Sequence, residues 1–274
     1  MPSQLGATCC APTVMFCAFF QKPFWLESRR ITKMIDVENL TKRYSAKVVA
    51  VENLSFAAKA GEIYGLLGPN GAGKTTTLRM LATLLLPTSG TATVAGFDTK
   101  RQPEEVRRTI GVVNGGMGLY DRLTGQEILE YFAGFYNMGK ADTAKRIKEL
   151  SEALEMNELL SRRAGEYSTG MKQKIVIARA VIHNPSVLIL DEATNGLDVV
   201  ARRAVLEFAR TYKNSSRVVL YSTHIMAEAE ELCERAAIID HGKLIAEDTL
   251  ENLKKKVQAS NLEEAFFRLT RGVA

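Results

Sequence analysis

Two spacings of apolar residues take turns along the chain, and each change of spacing marks the edge of a predicted element. Ile35–Leu40 and Val48–Phe56 alternate apolar and polar positions and predict a pair of antiparallel strands. Glu62–Leu67 is a short apolar run, the pattern of a strand buried on both faces, and it leads straight into a glycine-rich segment. Lys74–Leu84 changes to helical spacing and is closed before Pro87, because proline disfavours helical backbone in the residue preceding it. Further strands are predicted over Thr91–Ala95, Ile110–Val113, Val187–Asp191, Val218–Ser222, Ala237–Asp240 and Lys243–Ala246, the last two joined through His241-Gly242.

Between Gly125 and Ile182 the strand signal gives way to apolar residues three and four apart, in Gln126–Asn137, Ala141–Leu154 and Gly170–Ile182. The expectation is an α/β fold with a largely parallel core sheet, an antiparallel β layer formed first, and an inserted α-helical lobe over about residues 116–182.

Composition narrows the class. The 274 residues are 46% hydrophobic and 24% charged, enough to bury a sizeable core, which excludes disordered and fibrous chains. Ala11–Phe20, a strongly apolar stretch, is about half the roughly 20 residues of a membrane-spanning helix, so no span is predicted. Of the net charge of +5, residues 1–33 hold +3 through Lys22, Arg29, Arg30 and Lys33 against Glu27. The rest is too balanced for a nucleic-acid surface. Cys9, Cys10 and Cys17 cluster in that opening segment and Cys233 stands alone in the body, which argues against a disulfide framework and for a reducing, cytoplasmic setting. Residues 1–33 themselves carry no sustained period. They read as a targeting or anchoring arm or, the reading preferred here, as an extension outside the fold, the domain then running over residues 34–274.

The chemistry begins at Gly68-Pro69-Asn70-Gly71-Ala72-Gly73-Lys74-Thr75-Thr76. A phosphate chain needs several donors aimed at one point, and glycines at 68, 71 and 73 let the backbone curl so that its N–H groups converge. The helix that follows adds the positive end of its dipole, Lys74 reaches the outer phosphates, and the Thr75 hydroxyl is placed for Mg²⁺. A magnesium–phosphate site also needs a carboxylate at the end of a neighbouring strand. Val187-Leu188-Ile189-Leu190-Asp191-Glu192 supplies two, Asp191 for the Mg²⁺ shell and Glu192 as general base for the attacking water. ATP and Mg²⁺ are the expected ligands.

Between these elements lies Tyr167-Ser168-Thr169-Gly170-Met171-Lys172-Gln173-Lys174, followed at once by an apolar helix. With that segment the chain resembles the ATP-binding-cassette (ABC) ATPases, a P-loop NTPase-type family, over about residues 34–270. The family's Leu-Ser-Gly-Gly-Gln stands here as Tyr-Ser-Thr-Gly-Met. The resemblance implies a head-to-tail dimer of two copies, in which Ser168 and Gly170 of one chain grip the γ-phosphate held by the other. It implies that Tyr44 stacks on adenine, that Asp198 of Asn195-Gly196-Leu197-Asp198 reaches across the dimer, and that His224 of Ser222-Thr223-His224 contacts the γ-phosphate and Glu192.

Two departures stand out. The family's Mg²⁺-touching glutamine should fall near Asn114-Gly115, where the sequence has none, and Ala193 replaces the usual proline. The segments Gly118-Leu119-Tyr120-Asp121-Arg122-Leu123-Thr124 and Tyr131-Phe132-Ala133 resemble bacterial export cassettes of the sodium-efflux type. The resemblance thus implies an ATPase subunit powering export through a separate transmembrane permease, docked near Gly115–Tyr136, at the inner face of the cell membrane and without nucleic-acid partners. The alternatives are a soluble ABC ATPase acting on ribosomes or DNA, and a regulatory cassette that binds ATP without turnover.

Overall fold

A computed structural model describes residues 33–271. Three of the four cysteines and all but the last residue of the 1–33 segment lie outside them. Lys33 is the exception, since it opens the first described strand, one residue before Met34.

Strands β1 (Lys33–Arg43) and β2 (Val49–Lys59) pair antiparallel, and β4 (Ser89–Val94) and β5 (Phe97–Asp98) extend them into a four-stranded sheet ordered β2-β1-β4-β5. The second sheet has six strands in the order β10-β9-β3-β8-β7-β6. Its members are β3 (Ile63–Leu67), β6 (Ile110–Asn114), β7 (Val187–Asp191), β8 (Val218–Thr223), β9 (Arg235–Asp240) and β10 (Lys243–Thr249). Five of them run parallel and β10 returns antiparallel to β9. The β9–β10 reversal uses His241 (φ 45°) and Gly242 (φ 78°), the two successive left-handed residues that a two-residue hairpin turn requires.

The continuous apolar runs of the parallel strands have a simple cause: both faces are covered. Ile63 and Leu67 of β3, Leu188 and Leu190 of β7 and Val219 and Tyr221 of β8 join one core. Their in-between neighbours Tyr64, Leu66, Val187, Ile189, Val218 and Leu220 join the other. Strand parity assigns each side chain to a face. The antiparallel sheet and α1 (Lys74–Leu81) close one side, where Phe56 stacks on Tyr64 at 5.5 Å between ring centroids. Helices α5 (Thr169–Val181), α6 (Val199–Tyr212) and α7 (Met226–Leu232) close the other.

Between β6 and β7 the chain is helical, with α3 (Gly125–Phe135) and α4 (Lys140–Ala153) leading to α5. Thr124 starts α3 with a reciprocal cap: its hydroxyl accepts from Glu127 N–H while the Glu127 carboxylate accepts from Thr124 N–H at 2.8 Å. Helix α1 stops three residues short of the predicted Leu84. Thr83 turns left-handed (φ 61°), and the N–H groups of Thr83 and Leu84 fold back on Met80 O and Arg79 O, which terminates the helix before Pro87 is reached. Helices α2 (Pro103–Thr109), α6, α7, α8 (Leu250–Lys256) and α9 (Leu262–Arg271), and strand β5, were not among the predicted elements. No helix among the described residues is long and apolar enough to cross a membrane.

Candidate functional site

The glycine-rich loop joins the C-terminal end of β3 to α1 and is wedged from behind. A Cβ on Gly68 would sit 2.2 Å from Ile239 O, and one on Gly73 (φ 100°) would sit 2.4 Å from Ala50 O, so neither position admits a side chain. The β9–β10 hairpin tip completes the backing, since Gly242 N–H donates to Ala72 O at 3.0 Å and Gly242 O accepts from Glu52 N–H at 2.8 Å. Gly71 (φ 83°), by contrast, faces open space. The loop is thus rigid on its inner side and bare on its outer side, with the first N–H groups of α1 at its rim.

Lys74 is buried. Its ammonium donates to the carbonyls of Gly68 at 2.7 Å and Pro69 at 3.0 Å, and lies 3.5 Å from Glu192 Oε1. Burial pulls its pKa below the usual lysine value, with the carboxylates of Glu192 and Asp191 opposing the shift. A cleft of about 240 Å³ lined by Ala50, Asn70, Gly71, Lys74, Thr75 and Glu192 opens at this point.

Two carboxylates end β7 in different environments. Asp191 is buried and its Oδ1 has no hydrogen-bond partner. Burial raises its pKa, against the nearby hydroxyls of Ser222 and Thr75. A buried acceptor without a donor is costly unless a cation fills the gap. Asp191 Oδ1 with the Thr75 hydroxyl, both hard oxygen donors, therefore fits Mg²⁺. Glu192 takes a left-handed backbone (φ 50°), a conformation that costs a non-glycine residue about 1–2 kcal/mol. Its N–H is held by Ser222 O at 3.0 Å on β8. The chain turns sharply there, away from the strand direction in which Asp191 stands.

His224 follows β8 and places Nδ1 3.3 Å from Glu192 Oε1, the same oxygen that Lys74 approaches. A carboxylate accepts, so in this contact Nδ1 is the nitrogen that carries the proton. Asn195 donates to the other oxygen, Oε2, at 2.7 Å. From the sequence, Asn195 is only part of the loop leading to Asp198. Its grip on Glu192 depends on the tight turn that starts at Glu192, which no sequence spacing reveals.

Asn114 pairs with Asp191 across β6 and β7, and the next residue's N–H donates to Asp191 O at 3.0 Å. Asn114-Gly115, near which the resemblance puts the family's glutamine, therefore lies at the strand end beside Asp191. Tyr44 lies just past β1, exposed at 54%, with Lys42 Nζ 5.6 Å from its ring centroid. Its ring is not used in the core.

Ser168 and Asp198 are the caps of α5 and α6: Ser168 Oγ accepts from Met171 N–H at 3.3 Å, and Asp198 Oδ1 from Ala201 N–H at 2.8 Å. The two helix starts touch, because a Cβ on Gly170 would lie 2.8 Å from Ala201 Cβ. Gln173 on α5 donates to Ala193 O at 2.8 Å, tying this pair of helix starts to the turn after β7. The structure thus gathers Lys74, Asp191, Glu192 and His224 into one cluster. Ser168, Gly170 and Asp198 form a second group, which shares no hydrogen bond or ion pair with Gly68–Thr76 among the described residues.

A match to the ABC transporter family covers residues 51–195. In sequence the chain is similar to the ABC transporter ATP-binding protein NatA of Bacillus subtilis (strain 168), 42% identical over 246 residues, covering 88% of this chain and 100% of that protein. It is similar to the doxorubicin resistance ATP-binding protein DrrA of Mycobacterium tuberculosis, 39% identical over 221 residues, 80% of this chain and 67% of that one. It is also similar to the Nod factor export ATP-binding protein I of Burkholderia orbicola, 41% identical over 213 residues, 78% and 70% of the two chains. In three dimensions it resembles a solved ATP-binding subunit of an ABC transporter, with a TM-score of 0.79, 32% identity, and coverage of 86% of this chain and 99% of that one. A dimeric post-hydrolysis state of an ATP-binding cassette bound to ADP and Pi matches with a TM-score of 0.70 and 26% identity, over 79% of this chain and 98% of that one.

Proposed function

The chain belongs to the ABC transporter family of ATP-binding proteins, and from that premise we propose that the Lys74, Glu192 and His224 cluster is the hydrolytic centre of an export motor. The protein is an ABC ATPase and an ATP-binding subunit of an export system. The observation that carries the site assignment is the single oxygen Glu192 Oε1, held between Lys74 Nζ and His224 Nδ1 at the mouth of the phosphate loop.

In this reading the N–H groups of Gly71, Gly73, Lys74 and Thr75 receive the β- and γ-phosphates, and Lys74 exchanges the carbonyls of Gly68 and Pro69 for phosphate oxygens. Thr75 and Asp191 would hold Mg²⁺, which when bound would supply positive charge against the phosphates. Glu192 accepts a proton from the water that attacks the γ-phosphorus, and the bond to the ADP oxygen breaks. His224 and Asn195 fix the Glu192 carboxylate from its two oxygens. Tyr44 stacks on adenine from its exposed position.

Ser168, Gly170 and Asp198, set apart from this cluster, serve the site of a second copy in a head-to-tail dimer. The dimeric cassette of similar fold supports that arrangement. A separate membrane permease completes the system, docked on the face around Gly115–Tyr136, where Tyr120, Tyr131 and Phe135 are exposed. The motor works from the cytoplasmic face of the membrane. Na⁺ is the proposed cargo on the wording of Gly118–Thr124 and Tyr131–Ala133, and the ATPase itself supplies it no ligands.

The test is phosphate release from MgATP by the purified chain. Glu192→Gln is expected to keep nucleotide binding, lower turnover on the order of 10²-fold or more, and accumulate as a dimer with ATP. Unchanged turnover would remove Glu192 from this role.

A further inference from the structure

Behind the Glu192 and His224 pair lies another carboxylate that the reaction above leaves unused. Glu228, on α7, is 3% exposed, and three hydroxyls converge on its Oε2: Tyr221 at 2.7 Å, Thr194 at 2.9 Å and Thr223 at 3.3 Å. Burial raises the Tyr221 pKa, so the phenol keeps its proton and acts as donor. Glu228 Oε1 lies 3.3 Å from Arg202 Nε on α6, and neither of those two atoms has a hydrogen bond. One oxygen thus collects hydroxyl protons while the other faces a cation.

Each partner belongs to a segment that ends at a site residue. Thr194 lies two residues after Glu192, within the turn in which Asn195 grips the same carboxylate. Thr223 directly precedes His224, and its Oγ1 also accepts from Ile225 N–H at 3.0 Å, so it braces the backbone on both sides of the histidine. Arg202 sits in the first turns of α6, the helix capped by Asp198. Buried carboxylates are costly to desolvate unless fully compensated, and apolar side chains would fill this space without that cost. What an apolar filling could not do is bind four segments at fixed spacing through one group.

We propose that Glu228 is a positioning residue for ATP hydrolysis, fixing the spacing of Glu192 and His224 and holding that pair in register with Asp198. The proposal rests on the assignment of Glu192 as the base. Its effect belongs to turnover and not to nucleotide binding, because none of its partners is in the phosphate loop. It also links two places that act on different nucleotides in a dimer: the Glu192 pair of its own site, and Asp198 facing the other copy.

The experiment compares Glu228→Gln and Glu228→Ala with the unaltered chain in steady-state phosphate release, with the Kd for a fluorescent ATP analogue measured alongside. Glu228→Gln keeps an acceptor for the three hydroxyls and loses the attraction to Arg202. It is expected to lower kcat roughly 10-fold, and Glu228→Ala about 10²-fold, with KM and Kd within about twofold. In a His224→Ala background, Glu228→Gln should add less than about a twofold further loss, because the spacing it maintains no longer serves the missing group. A loss that multiplies fully in that background, or that appears in Kd, would assign Glu228 to general folding and overturn the proposal. Normal kcat in Glu228→Gln would overturn it too, and that variant decides the matter if Glu228→Ala fails to fold. Glu192→Gln in the same assay separates the two readings: normal turnover there sinks the site assignment, whereas low turnover there with normal Glu228→Gln sinks only the positioning role.

Discussion

Lys74 and Glu192 stand 3.5 Å apart across the mouth of the phosphate loop, yet the lysine spends its hydrogen bonds on carbonyls of its own loop, Gly68 O and Pro69 O. Burial weakens the lysine's hold on its proton and the neighbouring carboxylates restore part of it. Without nucleotide, the ammonium is compensated by dipoles and by a carboxylate that is a quarter exposed. Phosphate oxygens offer it full negative charge in the same small volume. The site is therefore electrostatically prepared for an anion.

Lys74→Ala removes that cation and leaves the loop's N–H groups in place. Charged hydrogen bonds of this type contribute about 1.5–3 kcal/mol, so ATP affinity should fall roughly 10- to 10²-fold, as read by titration with a fluorescent analogue. Because the variant also removes a buried charge, its unfolding temperature without nucleotide should not fall. Normal ATP affinity would contradict the phosphate-loop geometry.

Asp191 gives a pH-dependent prediction. Its folded pKa is raised above the unfolded value, so the folded state binds more protons in the window between the two, and stability falls as pH rises through it. Above the folded pKa the cost of an ionised, partnerless Oδ1 is fully present. Asp191→Asn should therefore raise the melting temperature of the metal-free, nucleotide-free protein at pH 7 by about 2–4 °C, equivalent to about 1 kcal/mol. The gain should shrink as pH is lowered toward the unfolded pKa. Stabilisation by added MgATP should be lost in the same variant. A melting temperature that drops at pH 7 would mean the carboxylate is compensated in a way its surroundings do not indicate.

Much of this site is local in the chain, and that is the part the sequence shows. Strand β3, the glycines and α1 are contiguous, and the requirements of each are met by the residue types next to it. Asp191 and Glu192 close an unbroken apolar run for the same reason. What stays hidden depends on partners far along the chain. The left-handed Glu192 is anchored by Ser222 O, Asn195 turns back on it, Gln173 reaches Ala193 O, and Glu228 collects hydroxyl donors from two other segments. The unpredicted helices have plain causes as well. Helices α2 and α7 are seven residues each, too short to establish a period. Helix α6 opens on Val199 and Val200, both about 80% exposed, which blur its apolar stripe.

Gly170 has two explanations that can be separated. Its resemblance-based role is to present backbone N–H groups to a phosphate, but the structure also needs it small, since a Cβ would lie 2.8 Å from Ala201 Cβ. Gly170→Ala should destabilise the fold by about 1–3 kcal/mol through overpacking where α5 and α6 start. Adding Ala201→Gly should restore the melting temperature. If turnover returns with it, the glycine's role is steric. If stability returns and turnover does not, the backbone at that helix start is needed for the nucleotide.

The separation of Ser168 from the Lys74 cluster leads to a complementation experiment. In a head-to-tail dimer each site takes its phosphate loop from one chain and its Ser168 from the other. At an ATP concentration well below the Kd of the Lys74→Ala chain, that chain and a Ser168→Arg chain should each show little turnover alone, because every site in either homodimer carries a defect. In the mixed dimer both defects fall in one site, and the other site joins an intact Lys74 to an intact Ser168. With random exchange about half of the dimers are mixed, each holding one sound site of two, so an equal mixture should recover about a quarter of the original phosphate release. Ser168 is an exposed cap, so arginine there costs the helix roughly 1 kcal/mol and leaves the fold intact. Recovery cannot occur if Ser168 serves the nucleotide of its own chain. A mixture that exchanges subunits, as shown by a tagged partner, and yet stays inactive would therefore rule out the shared site.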